Sequence, residues 1–252
     1  MASAIPREYV DNFTRCINRI SEDARARLAD ALARIDMTQD VATVREQVVA
    51  AMQAACGGAT DMTATLAAEF YDGLREYELG GRMGAVARSG RVPEATEDSV
   101  RAFAQKLGDG KAEPVVARCL ERFDYEIKVA ASQTCLENAK RDPVKPLFAR
   151  VPTGSETCDF CLMLASRGFV YHTEAAASHA HSGCDCRVVP SWRAHKVEGY
   201  DPAAIFDRWQ DAIDAKAAQR AERNGTDEAD ERKRIMEAYE RSATNARKKN
   251  KR

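Results

Sequence analysis

The chain has 252 residues, 31% of them charged, and a formal net charge of −1. Near-neutrality removes any global electrostatic pull toward nucleic acid, and the lack of a run of about 18 apolar residues removes a membrane-spanning helix. Aromatic residues make up only 7% while Ala and Arg are frequent, the composition of a helical protein with enough chain for one or two cores.

The first predicted helix opens at Pro6, whose fixed φ suits the first helical position. Val10, Phe13, Ile17, Ile20, Ala24, Leu28, Leu32 and Ile35 then recur at steps of three or four. This narrow apolar stripe, about eight turns long, needs a partner helix, either antiparallel in the same chain or from another molecule. Cys16 lies beside the stripe and reads as a small buried apolar residue. A second helix is predicted over 38–56, with Val41, Val44, Val48, Met52 and Cys56 on one face and Gly57-Gly58 as its stop signal. A third is predicted over 60–79 through Leu66, Phe70, Leu74 and Tyr77, ending at Gly80-Gly81. Three helices on short turns imply an up-and-down arrangement.

From Gly80 to Glu94 the periodicity breaks. Gly80, Gly81, Gly84, Gly90 and Pro93 alternate with Arg82, Arg88 and Arg91, which reads as a flexible basic linker, with phosphate contact as the second reading. A short helix is predicted over 97–107. Pro114 then opens a long one reaching Arg141, burying Val115, Val116, Cys119, Leu120, Phe123, Ile127, Ala130 and Ala131. Cys119 and Cys135 have no cysteine or histidine close in sequence and read as core. Asp142-Pro143 and Lys145-Pro146 stop this helix, because a residue before proline is pushed toward extended geometry. Residues 147–151, 169–171 and 187–189 are β-prone runs. Asp201-Pro202 starts another amphipathic helix through Ile205, Trp209 and Ile213, and beyond Asn224-Gly225 a charge-rich stretch ends in a basic tail.

Between Thr157 and Pro190 lie four of the eight cysteines and three of the four histidines. Cys158 and Cys161 form a C-x2-C pair, and His181, Cys184 and Cys186 form H-x2-C-x-C. Zinc takes four N or S ligands in a tetrahedron, commonly as two such pairs brought together by a hairpin or short loop. The expected ligands are Cys158, Cys161, His181 and one of Cys184 or Cys186; His179 lies two residues further out. If residues 184–186 are extended, alternate side chains point to opposite faces and only one of the two cysteines reaches the ion. Such a closed site contributes folding energy and leaves no coordination position open. Three other readings fit less well. Disulfides suit a secreted chain, and Met1–Ile20 has no secretory pattern. A redox C-x-x-C accompanies a βαβ pattern that is absent. Deaminase chemistry places P-C-x-x-C after H-x-E, whereas here His172 and Glu174 follow the C-x-x-C.

The run from Arg150 to Pro190 places a basic residue and proline before C-x2-C, then Gly168-Phe169-Val170-Tyr171, then H-x2-C-x-C and Arg187-Val188-Val189-Pro190. It resembles the C-terminal module of phage minor capsid proteins of the phage Mu protein F-like head morphogenesis group, in the form carried by actinobacterial phages and prophages. The resemblance implies a virion protein at the portal vertex or procapsid interior, made in the host cytoplasm. Its implied partners are the portal or major capsid protein, in multiple copies per assembly, with packaged DNA reached through the basic loop or tail.

The expected fold is mainly α: a helical body of several long amphipathic helices with a small zinc-stapled α+β module near the C-terminus. The expected divisions are 1–80, a linker at 81–96, 97–146, the zinc module at 147–195, and a helix with a charged tail at 196–252. The expected function is structural. A zinc hydrolase or nuclease would need an open metal position and a base such as Glu174 or Asp185. The sequence holds no G-x-S-x-G, H-E-x-x-H or P-loop. A zinc-dependent nucleic-acid-binding module is the other alternative.

Overall fold

The computed structural model describes residues 3–109, 112–154, 157–171 and 185–249. Helix α1 (Arg7–Ala33) buries Val10, Phe13, Ile17, Ala24, Leu28 and Leu32. Its partner is in the same chain: Phe13 stacks on Phe70 with centroids 4.0 Å apart, and Tyr9 meets Tyr77 at 5.6 Å. These pairs run α1 antiparallel to α2 (Val41–Leu79), and α1 also packs on α4 (Ala112–Arg141). Cys16 is exposed rather than buried, on the lip of an apolar groove between α1 and α2, because the stripe turns Ile17 inward and Cys16 away from it.

The two helices expected over 38–56 and 60–79 are one. Asp40 caps α2 by accepting from the Thr43 amide at 3.0 Å, and the helix continues for 39 residues, about 58 Å at 1.5 Å per residue, to Gly80 at φ 79°. Gly57 and Gly58 do not stop it because neither adopts the left-handed conformation that a glycine terminus uses. Cys56, Ala59, Thr60 and Thr63 around them are buried against the body, and packing outweighs the roughly 1 kcal/mol that each mid-helix glycine costs.

The stretch expected as a linker is pinned into the groove between α2 and α4. The buried Asp72 carboxylate accepts from the amides of Met83 (3.0 Å) and Ala85 (2.8 Å). Asn138 takes both backbone groups of Val86, each at 2.8 Å, and Thr134 does the same for Arg88 at 3.3 and 2.9 Å. Polar side chains of two helices thus stand in for the neighbouring strand that this extended segment lacks. Helix α3 (Pro93–Ala104) begins four residues earlier than expected, with Pro93 in its first turn, and passes into a short 3-10 turn.

Strands β1 (Leu147–Pro152) and β2 (Cys186–Ser191) pair antiparallel, from Leu147 opposite Ser191 to Pro152 opposite Cys186. Tyr171 adds a bridge to Phe148. This small sheet is joined to the helical body by two buried carboxylates. Glu78 accepts from Ser191 Oγ (2.9 Å), Trp192 N (2.5 Å) and Ala194 N (3.0 Å). Asp142 accepts from Arg75 Nε (2.9 Å), Tyr71 OH and Trp192 Nε1 (both 3.2 Å). The short helix α5 (Asp159–Ala165) packs on β1 and on α6 (Pro202–Asn224), which pairs with α7 (Glu228–Lys249). Ile5 closes the arrangement by bridging to Val197. No helix among the described residues is long and apolar enough to cross a membrane.

Candidate metal centre

Two elements deliver the described cysteines. Cys158 is the N-cap of α5, its sulfur accepting from the Cys161 amide at 3.5 Å, which fixes the C-x2-C as the entry to a helix. Cys161 sits in the first turn of α5 and is fully buried; Cys186 opens β2 across from Pro152 and is 6% exposed. The Cys161 and Cys186 sulfurs lie 3.5 Å apart, with Cys158 packed beside them. A disulfide would hold the sulfurs about 2.05 Å apart. Two thiolates sharing a tetrahedral zinc at about 2.3 Å per bond would be about 3.8 Å apart. The observed separation is close to the second value and far from the first.

Beneath the pair lies Arg150, on β1 and only 1% exposed. Its Nε and Nη2 donate to Cys186 Sγ at 3.2 and 2.9 Å. A guanidinium stays charged at every accessible pH and donates well to a thiolate. Thiolate is also the form in which cysteine binds metal. Arg150 was visible in the sequence only as a basic residue before the proline. Because both faces of β1 are buried, alternation along the strand gives no sign of what it touches.

Two expected ligands, His181 and Cys184, lie outside the described residues, as do His172, Glu174 and His179. Among the described residues no group of three ligating side chains is assembled around one point. The two cysteine-bearing turns read from sequence are brought together at Cys161 and Cys186, with Cys158 alongside. Asp185, one of the two carboxylates named as a possible hydrolase base, sits in a hydrogen-bond network with Oδ1 buried and without a partner among the described residues. Its Oδ2 accepts from Thr157 at 2.8 Å, its backbone oxygen accepts from the Thr153 hydroxyl and amide, and a Cβ on Gly154 would come within 2.7 Å of it.

The remaining described cysteines differ in kind. Burial pushes the thiols of Cys56 and Cys135 up to about 12 and that of Cys119 to about 11, so they stay protonated and unreactive. Cys119 and Cys135 are core residues, as their isolation in sequence implied.

The model of the VG15 protein family matches residues 4–212, and the chain belongs to that family. The gene 15 proteins of Mycobacterium phages L5 and D29 are each 30% identical to it. Those matches cover 35% and 34% of this chain and 45% and 44% of the two relatives. The chain thus spans less than half the length of the curated relatives it matches. No solved structure matches it.

Proposed function

We propose that this protein is a minor component of the phage head, placed at the portal vertex or the procapsid interior, and that a structural zinc ion fixes the fold of its C-terminal module. The ion's ligands are Cys158, Cys161, His181 and Cys186. The observation that carries this reading is the 3.5 Å approach of Cys161 to Cys186 over buried Arg150. Cys186 is taken as the ligand because it meets both the α5 cysteine and the guanidinium, while Cys184 lies outside the described residues. Membership of a family with phage relatives supports the phage setting, and the Arg150–Pro190 resemblance supports the head and portal assignment.

The chain's own residues explain why a staple is useful here. Among the described residues the small sheet has two strands and one bridge, and a sheet of that size is marginal unless packed or cross-linked. Bound between α5 and β2, zinc would supply free energy to the folded state alone, and structural sites in zinc-finger peptides supply about 10–16 kcal/mol of apparent binding energy. Four soft ligands leave no coordination position for substrate, so the role is architectural and not catalytic. The test is co-expression with the portal and major capsid proteins of the same genome, followed by sedimentation and subunit counting. The reading requires this chain in purified procapsids or on the portal ring; its exclusion from both would overturn it.

A further inference from the structure

A second site lies away from the cysteines, and it does not depend on the zinc reading. The pinned segment, α2 and α4 enclose a polar cleft of about 620 Å3, within the range of small-ligand sites. Arg88, Arg91 and Arg141 line it together with the Ser89 and Thr65 hydroxyls. None of the three guanidiniums has a carboxylate partner among the described residues. Arg141 makes one long contact, to Asn138 Oδ1 at 3.4 Å. Arg91 is braced by the backbone and side-chain oxygens of Gln53, and its Nε is buried with no acceptor. Of the two carboxylates in the cleft, Glu137 is taken up by Lys140 at 2.5 Å and Gln133 at 3.0 Å, leaving Asp61.

The backbone carrying the arginines is fixed before any ligand arrives. Thr134 holds both backbone groups of Arg88. Gly90 has φ 63°, and a Cβ there would come within 2.5 Å of Gln133 Cγ, so only glycine lets the segment lie against α4 at this point. Guanidiniums carried on a fixed backbone beside the Ser89 hydroxyl match the tetrahedral oxygens of a phosphate. The Asp61 carboxylate would repel a bare phosphate and accept from a sugar hydroxyl or a base amine.

We infer that this cleft binds the phosphate of a nucleotide unit, supplied either by a free nucleotide or by a nucleic-acid strand. The experiment uses the full chain and fluorescence anisotropy with a labelled single-stranded oligonucleotide, a mononucleotide and inorganic phosphate serving as competitors. The variant is Arg88→Gln with Arg141→Gln. Both side chains are exposed and lack ion pairs, so the fold is retained. The control is Arg19→Gln with Arg27→Gln, which removes the same charge from exposed positions on α1. The expected result is at least about a tenfold loss of oligonucleotide affinity in the cleft variant alone. Its slope of log affinity against log salt should fall by about 1.4, the value for two single-strand phosphate contacts. Competition by the mononucleotide at concentrations where phosphate fails assigns the free nucleotide as source; competition by neither assigns the strand. Equal losses in variant and control, or no binding by the unmodified chain, would overturn the inference.

Discussion

Replacing Gly57 and Gly58 by alanine should stabilise the protein, and the sign of the effect decides between two readings of its longest helix. Local sequence makes the glycine pair a terminator. In the structure both have ordinary helical φ, and a Cβ at either position meets nothing within 4 Å. Each substitution therefore recovers the helix propensity that glycine forfeits, about 0.8–1 kcal/mol, partly by narrowing the unfolded ensemble. The double variant should gain about 2 kcal/mol, since helix propensities add when neither side chain acquires a contact. For a chain of this size that corresponds to a rise of about 4–8 °C in the thermal midpoint. Circular dichroism melting, with calorimetry to confirm a single transition, measures it. A fall in midpoint would refute the continuous helix, because alanine forced into a left-handed glycine terminus destabilises.

Four further outcomes follow from the state of individual side chains. Asp142→Ala should cost about 3–5 kcal/mol, because it leaves the largely buried Arg75 without its carboxylate and strips an acceptor from Tyr71 and Trp192; a red-shifted Trp192 emission would report the loosened junction. Stability should decline as pH rises above 9.0. Cys56, Cys119 and Cys135 have folded pKa values raised to about 11–12, so the unfolded chain releases those protons first and is favoured through that window; urea titrations at successive pH values should show the decline starting there. A thiol reagent at pH 8 should for the same reason modify exposed Cys16 rapidly and leave these three untouched until unfolding, as peptide mapping would show. Arg150→Gln should weaken zinc binding by about 10- to 100-fold, the usual loss when a residue supporting a ligand is removed, measured by chelator competition.

Much of the helical body was legible because its apolar residues keep a strict period. The stripe from Val10 to Leu32 faces inward as read, and Asp142-Pro143 ends α4. The errors arise where a local signal yields to a distant partner. Gly57-Gly58 has the composition of a stop, but Cys56, Ala59, Thr60 and Thr63 around it are buried in the packed helical body. The Gly80–Glu94 segment has the composition of a linker, but Asp72, Thr134 and Asn138, as far as 52 residues away, supply hydrogen bonds to its backbone. The C-x2-C spacing matches the entry of α5, and Cys186 comes to it across the fold, while His181 and Cys184 lie outside the described residues. Arg150 was not a visible site residue, because its partner is 36 positions along the chain and the pairing depends on strand register.

The central claim is that the cysteines at the meeting of α5 and β2 hold a metal. Zinc content of the purified chain and of its Cys161→Ser, Cys184→Ser and Cys186→Ser variants, measured by plasma emission spectrometry alongside melting curves, tests it most directly. The account predicts about one zinc per chain, kept in Cys184→Ser and lost in the other two together with the stability of the C-terminal module. A metal-free native chain, or Cys161 joined to Cys186 as a disulfide, would contradict it.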